Sequence, residues 1–196
     1  MRRTWWAGLA VLGMLVTGCG GDDKSDADTA PDDTSSDAPA TEPDGDEPDA
    51  PDAPDELPLF CDLVTAEQVG EAVGGDVTLE TGPFDACEFS QSDVYEYSGS
   101  LGAVPVDIGN GGYEGYKSGS AAALTDAVVH EVPGVGEQAY VTTGTFGGGE
   151  SLQAGGGVLV GGTVYTVNLS QAAGHTEDEM VAISEKLLSL MVEAAG

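Results

Sequence analysis

The sequence predicts an α+β domain in which an antiparallel sheet carries helices packed on one face. Three observations lead to this prediction. Segments with helix caps and helical apolar spacing lie near both ends of residues 59–196. Short segments rich in β-branched and aromatic residues, bounded by Gly, Pro or Asn, lie between them. A glycine pair inside the last of these segments marks a hairpin. Together they indicate a single domain with a sheet layer and a helix layer.

Both predicted helices have recognisable start signals. In the first, Thr65 caps the chain with Gln68 three residues later, and Gly74 ends the helix. In the second, Thr176 and Glu179 form another capping box. Apolar residues of the second helix recur at helical spacing, which favours core packing over a membrane or cofactor face: Met180, Ile183, Leu187, Leu188, Leu190, Met191 and Ala194.

Four segments between these helices are predicted to form strands. They are ACEFSQ, SGSLGAVPVDI, EQAYVTTG and GGVLVGGTVYTVNLS. Within the last segment, Gly161 and Gly162 predict a two-residue hairpin turn, because glycine accepts the positive φ that such turns require. A weaker helical pattern covers Tyr116–Ala127.

The N-terminus predicts an export signal that ends at a lipid anchor. The basic start MRR precedes 12 apolar residues, Trp5–Val16. At about 1.5 Å per residue they cover about 18 Å, which is too short for a hydrocarbon core of roughly 30 Å. The following Val-Thr-Gly-Cys resembles the bacterial lipobox, whose cysteine receives diacylglycerol and becomes the new N-terminus. We therefore predict a lipoprotein signal peptide over residues 1–18 and lipidation, including palmitate, on Cys19. A plain signal peptide with an incidental cysteine is the alternative.

Residues 19–58 are predicted to be the lipidated cysteine followed by a disordered linker rich in Asp and Pro. No large apolar side chain occurs after Cys19 until Leu57, so the segment has nothing with which to build a core. An EF-hand reading beginning at Asp44 fails, because Pro48 takes the fifth position and Asp49 the sixth. The linker would place the domain outside the cell membrane.

The strongly acidic composition restricts the partners. The chain has 35 Asp+Glu against 5 Lys+Arg. From Leu59 onward the sequence carries 20 acidic residues and 2 lysines, which disfavours nucleic acid and anionic lipid headgroups. Basic proteins and cationic ligands remain open as partners. The acidity is equally consistent with a role in solubility alone.

Cys61 and Cys87 are predicted to form a disulfide. After export they would face an oxidising environment, where a pair of cysteines is more often bridged than free. A redox CxxC motif or a zinc site would need closer spacing or additional ligands.

A family resemblance extends from Cys61 to the C-terminus. The motifs CDLVT at 61–65, CEF at 87–89 and VPGVGEQAY at 132–140, with the lipobox ahead of them, resemble the actinobacterial lipoproteins catalogued as domain of unknown function 3558. This resemblance implies an exported, lipid-anchored α+β domain with the two domain cysteines paired. It implies no catalytic residue.

Motifs for reaction chemistry are incomplete. The stretch HEVPG begins at His130 like a zinc-protease helix, but Gly134 stands where the second histidine is needed. The sequence has no GxSxG motif, and its other histidine is His175. GTFGGGE lacks the GK[ST] ending of a phosphate-binding loop, and the glycosylation sequon at Asn168 falls in a predicted strand. We therefore predict no catalytic residue, no metal and no cofactor.

The preferred functional prediction is a non-catalytic binding or interaction module of the cell envelope, anchored to the extracytoplasmic face of the cell membrane. Its partner would be an envelope protein or a small ligand. The alternative is a small envelope hydrolase with an unrecognised active site. The candidate binding surface comprises Tyr113, Tyr116, Gly147, Gly148 and Gly149, where exposed aromatic rings would adjoin a mobile glycine loop. A packed tyrosine core and a plain loop form the competing interpretation of these residues.

Overall fold

The structure, a computed structural model, describes residues 56–93, 96–106, 111–171 and 174–196. The predicted signal peptide, Cys19 and nearly all of the predicted linker lie outside the described residues.

Seven strands form one antiparallel sheet in the described part of the chain. Their spatial order is β1-β2-β3-β7-β6-β5-β4, so the last strand in sequence lies in the middle. The strands are β1 Val77–Thr81, β2 Cys87–Gln91, β3 Ser98–Pro105, β4 Thr125–Glu131, β5 Gln138–Thr145, β6 Leu152–Val160 and β7 Thr163–Ser170.

Within the described ranges, four α-helices accompany the sheet: α1 Phe60–Leu63, α2 Ala66–Val73, α3 Gly112–Ala122 and α4 Glu177–Ala195. Both predicted capping boxes are confirmed. The Thr65 hydroxyl accepts from the Gln68 backbone N–H, and the Thr176 hydroxyl accepts from the Glu179 backbone N–H. Helix α2 ends at Gly74, whose φ of 87° is the left-handed conformation expected for a C-cap.

Helices α1, α2 and α4 build the main core. Helix α4 packs across β5, β6 and β7, and we call the side of the sheet that it covers the α4 face. The ring of Phe60 in α1 meets Tyr165 of β7 edge-on, with centroids 5.2 Å apart. Of the predicted apolar stripe of α4, five members are buried and Leu190 and Ala194 are partly buried; the buried ones are Met180, Ile183, Leu187, Leu188 and Met191.

The predicted disulfide is confirmed: Cys61 and Cys87 are bonded, with their Cα atoms 4.9 Å apart. It joins α1 to the first residue of β2. Because Cys87 is fully buried, the bond fixes the helical N-terminal segment against the interior of the sheet.

Helix α3 lies on the other side of the sheet, which we call the α3 face. In β6, a Cβ added to Gly155 would meet Ser120 of α3, whereas one added to Gly156 would meet Leu188 of α4. An ion pair between Lys117 and Glu131 links α3 to β4. The α+β class and the antiparallel sheet are confirmed, but the prediction that all helices pack on one face is wrong.

The physical reason is that the central strands are apolar on both faces. In β7, Tyr165 belongs to the α4-side core, while the neighbouring Val164 packs beside Tyr113 of α3. A strand buried on both faces needs a covering element on each side, and α3 covers the second one.

The predicted strand segments contain β2, β3 and β7 and overlap β5 and β6. Strand β5 continues one residue further, to Thr145, and β6 begins four residues earlier than predicted, at Leu152. Gly161 and Gly162 form the turn between β6 and β7 with φ of 52° and 81°, which confirms the predicted hairpin. The weak helical pattern is shifted: α3 begins earlier than predicted and ends at Ala122, after which the chain enters β4. Strands β1 and β4, the two edge strands, were not predicted from the sequence.

Candidate functional site: a cleft between the third helix and the sheet

A cavity of about 450 Å³ lies between α3 and the sheet. One wall comes from α3 and the other from β5, β6 and β7. Its lining residues are Gly115, Tyr116, Gly119, Ser120, Tyr140, Gly156, Thr166 and Asn168. Small residues dominate the helical wall, and hydroxyl and amide side chains supply most of the polar groups.

Glycines shape this cavity. On α3, a Cβ added at Gly119 would meet no atom within 4 Å, so the space beside this turn of the helix is open. On β6, a Cβ at Gly155 would lie 2.6 Å from the Ser120 hydroxyl oxygen. The glycine at 155 therefore allows Ser120 to approach the strand closely, while Gly119 leaves the adjacent space empty.

A second cavity of about 250 Å³ shares Ser120 and Asn168 with the first. Phe146 and Gln153 also line it. We call these two cavities together the α3 cleft. The side chain of Phe146 stands at its border with 67% of its surface exposed.

The polar groups of the α3 cleft are neutral. The Tyr140 hydroxyl interacts with the Ser120 side chain, and burial raises the pKa of Tyr140. Asn168 donates through Nδ2 to the Ser100 hydroxyl at 3.4 Å, and Tyr116 donates its hydroxyl hydrogen to the Pro105 carbonyl at 3.2 Å. The remaining lining residues of both cavities are likewise uncharged. Among the described residues, therefore, no carboxylate, ammonium or imidazole lines the α3 cleft.

The neutrality of the cleft contrasts with the rest of the domain. From Leu59 onward, 20 acidic residues face 2 lysines in the sequence. A third cavity of about 360 Å³, over β1, β2 and β3, shares Asn168 and is lined by both Glu80 and Glu88. Acidic side chains thus line the neighbouring cavity on the α3 face, but they do not line the α3 cleft.

The structure separates the residues predicted to form a binding surface. Tyr116 lines the α3 cleft. Tyr113 was expected to be exposed, which is wrong: it is buried, and its ring meets Tyr140 edge-on at 5.7 Å. Burial raises the pKa of Tyr113. Its position agrees with the alternative of a packed tyrosine core.

The glycine loop lies between β5 and β6. Gly147, Gly148 and Gly149 are exposed, and the first two adopt positive φ. They do not line the cleft, but Phe146, directly before them, does. The loop thus begins beside the cleft at Phe146, and its three glycines are not among the lining residues.

Sequence reasoning missed Ser120, Tyr140, Thr166 and Asn168 as site residues. A signal was available in β7, where polar residues alternate with buried apolar ones: Thr166, Asn168 and Ser170 share the face opposite Val167 and Leu169. This alternation indicates which face of the strand is open to a ligand or to solvent.

His130 takes part in a small polar cluster on the α4 face. Its Nε2 lies 2.9 Å from Glu177 Oε1 and 3.2 Å from the Thr143 hydroxyl, and that hydroxyl donates to the same carboxylate oxygen at 3.0 Å. In a nucleophilic triad, the base meets the hydroxyl and the carboxylate through different ring nitrogens. Here both contacts involve Nε2, so the cluster lacks the triad arrangement.

His175 packs against an aromatic ring. It stacks on Tyr97, with ring centroids 4.2 Å apart, and its Nε2 lies 3.7 Å from Glu96 Oε2. Burial raises the pKa of Tyr97 to about 12, and Glu179 and Glu96 reinforce the shift. These contacts position the residue just before α4, and they include no serine, threonine or cysteine side chain.

The described residues offer neither a metal site nor a membrane-spanning helix. Within the described ranges, no group of three or more His, Cys, Asp or Glu side chains converges to hold a metal ion. No helix in that part of the chain combines the length and apolar character needed to cross a bilayer.

No protein-family model matches this chain, and neither the curated proteins nor the solved structures contain a match to it. The resemblance to the lipoprotein family of domain of unknown function 3558 therefore stays a prediction from the motifs.

Proposed function

We propose that this protein is a lipid-anchored binding module of the cell envelope that holds a small ligand in the α3 cleft without transforming it. The observation that carries the proposal is the chemistry of the cleft. It offers several neutral hydrogen-bonding groups in a cavity of about 450 Å³, within the range of about 300–1,000 Å³ typical of small-molecule sites. Among its described lining residues there is no imidazole, carboxylate, amine or thiol to act as a general base, and burial raises the pKa of the lining Tyr140.

The position of His130 supports binding over hydrolysis. His130 pairs across the sheet with Val141, which belongs to the α4-side core, so both side chains point to the α4 face. The hydroxyls of Ser120 and Thr166 lie on the α3 face. The sheet therefore stands between this imidazole and the hydroxyls of the cleft.

The N-terminal sequence supports display on the extracytoplasmic side of the cell membrane. Lipidation on Cys19 would tether the chain, and residues 20–58 would act as a spacer. For a segment of 39 residues, flexible-coil scaling gives a reach of about 35 Å and a polyproline-like chain about 120 Å. A spacer of this length suits a module that must reach a ligand or partner away from the bilayer.

Replacing Cys19 tests the anchor. We expect Cys19→Ser to move the protein from the membrane fraction to the medium, or to leave the precursor uncleaved, and to abolish incorporation of labelled palmitate. Thr29→Ser, a conservative change in the spacer, is the matched control and should behave like the wild type. The mature protein should also lack tryptophan fluorescence, since both tryptophans, Trp5 and Trp6, precede the cleavage site. Unchanged membrane association and palmitate incorporation in Cys19→Ser would contradict the proposal.

Filling the cleft tests the binding site. Gly119 is exposed and lines the cavity, and a Cβ there would meet no atom within 4 Å, so Gly119→Leu adds bulk at the wall of the cleft without a clash at Cβ. Ser118→Leu is the matched control, because Ser118 is exposed, adjacent on α3 and not part of the lining.

We expect fragments from a mixed library of neutral, anionic and cationic molecules to bind the wild type and Ser118→Leu in ligand-observed NMR. Their signals should disappear with Gly119→Leu, while circular dichroism shows an unchanged fold. A library from which no member is sensitive to Gly119→Leu would refute the cleft as a ligand site.

A further inference from the structure

We infer that the ligand of the α3 cleft is a neutral saccharide, bound with Asn168 at the middle of the site. This inference rests on the proposed function and adds the chemical class of the ligand. It follows from the charge of the cleft, the kind of hydrogen-bonding groups it presents, and the position of its aromatic rings.

The charge of the cleft selects a neutral ligand. An anion would approach a domain with 20 acidic residues and 2 lysines and would find no cationic side chain among the described lining residues. A cation would be attracted by the domain, but removing its hydration shell is costly, and the cleft supplies no carboxylate to pair with it. A neutral ligand avoids both the repulsion that an anion would meet and the desolvation cost that a cation would meet.

The hydrogen-bonding groups select a ligand with many hydroxyls. The hydroxyls of Ser120, Tyr140 and Thr166 each donate and accept, and the Asn168 carboxamide has both a donor and an acceptor end. A saccharide hydroxyl also donates and accepts, so it can pair with any of these groups by rotation. Tyr140 already pairs with Ser120 and Asn168 with Ser100, but an apolar ligand would displace water from the remaining hydrogen-bonding capacity of these groups without replacing it, which is unfavourable.

Aromatic rings provide the apolar part of the site. Tyr116 lines the larger cavity, and the exposed Phe146 borders the smaller one. A saccharide ring has a face of C–H groups that packs on an aromatic ring while its hydroxyls point to polar neighbours. Phe146 is among the most exposed large apolar side chains described, and a ligand stacked on it would remove that surface from water.

The arrangement of the cavities favours more than one sugar ring. Both cavities of the α3 cleft share Ser120 and Asn168, and the third cavity, whose part over β1 and β2 carries Glu80 and Glu88, also reaches Asn168. Around this point, cross-strand pairing places Asn168 opposite Ser100, and Ser170 opposite Ser98. The hydroxyl-bearing surface therefore continues from the cleft onto β3, which matches a short oligosaccharide better than a single ring.

The test is a titration of the full-length chain in a detergent without a sugar headgroup, so that the detergent does not compete. The probes are neutral di- and trisaccharides of glucose, galactose and mannose, with trigalacturonate as the anionic trisaccharide and a glucosamine trisaccharide as the cationic one. Binding is followed by saturation-transfer NMR and calorimetry. We expect at least one neutral probe to bind and both charged probes to bind at least tenfold more weakly.

Two substitutions locate the binding. Gly119→Leu should abolish it and Ser118→Leu should leave it unchanged. Asn168→Ala, an exposed position whose fold is checked by circular dichroism, should weaken it about 2- to 12-fold, the loss expected for one neutral hydrogen bond.

The outcomes separate this inference from the proposed function. If no neutral saccharide binds but a charged or aromatic fragment is displaced by Gly119→Leu, the cleft is a ligand site and the saccharide inference is overturned. Saccharide binding that is insensitive to Gly119→Leu also overturns the inference, because it lies elsewhere. If Gly119→Leu blocks no probe of either set, both the inference and the proposed function fail.

Discussion

Breaking the Cys61–Cys87 disulfide should destabilise the domain by about 3.5 kcal/mol. The two cysteines are separated by 26 positions in sequence. In the chain-entropy model, a bridge over roughly this loop lowers the entropy of the unfolded chain by about 12 cal/mol/K, which corresponds to about 3.5 kcal/mol at 25 °C. A domain of this size loses roughly 3 °C in Tm per kcal/mol, so Tm should fall by about 10 °C.

Urea unfolding measured by far-UV circular dichroism, with and without a reductant, checks this value. The Cys61→Ala/Cys87→Ala double variant is the control, because reductant should leave its midpoint unchanged. It also separates the effect of this bridge from any effect at the third cysteine, Cys19. A loss below about 1 kcal/mol on reduction, or an equal shift in the double variant, would refute the reasoning.

Three further predictions concern the N-cap of α4, the hydrophobic core and the pKa of Tyr97. Thr176→Ala removes the hydroxyl that accepts from the Glu179 backbone N–H and should cost about 1 kcal/mol in urea unfolding, whereas Thr176→Ser should retain most of the stability. Leu187→Ala at a fully buried position should cost about 2–5 kcal/mol, and a loss below 1 kcal/mol would contradict its place in the core. Since the pKa of Tyr97 is raised from 10.0 to about 12 in the folded protein, the unfolded chain loses this proton first, and the associated stability should disappear between pH 10 and 12. Unfolding measured at pH 9 and 11 should show a smaller loss in Tyr97→Phe, and an identical loss would count against this assignment.

Features that depend on neighbours in sequence were predictable. The Thr65 and Thr176 capping boxes and the Gly161–Gly162 turn each involve residues within a few positions of one another. Their geometry follows from local backbone chemistry, and the remainder of the fold leaves it unchanged.

The position of α3 and the cleft was not predictable in the same way. Ser120 and Asn168 meet only because α3 crosses the second face of the sheet, and no local pattern connects a helix residue with a residue 48 positions later in β7. The sequence predicted helices on one face of the sheet, but several central strands bury both faces. Strand β1 was missed because it has only two partly buried apolar residues, Val77 and Leu79, among exposed polar ones. Strand β4 begins at Thr125, inside the segment for which a helix was predicted.

The central place of β7 also determines the order in which the sheet can be completed. Strands β1–β3 form one hairpin-linked group and β4–β6 another, and β7 pairs with both β3 and β6. Ser98 pairs with Ser170 and Pro105 with Thr163, so these contacts join distant parts of the chain and are slow to form. Until β7 is in place, β3 and β6 are unpaired edges that can associate with other chains. A protein exported as an unfolded chain would therefore keep both edges open until its last strand has crossed the membrane.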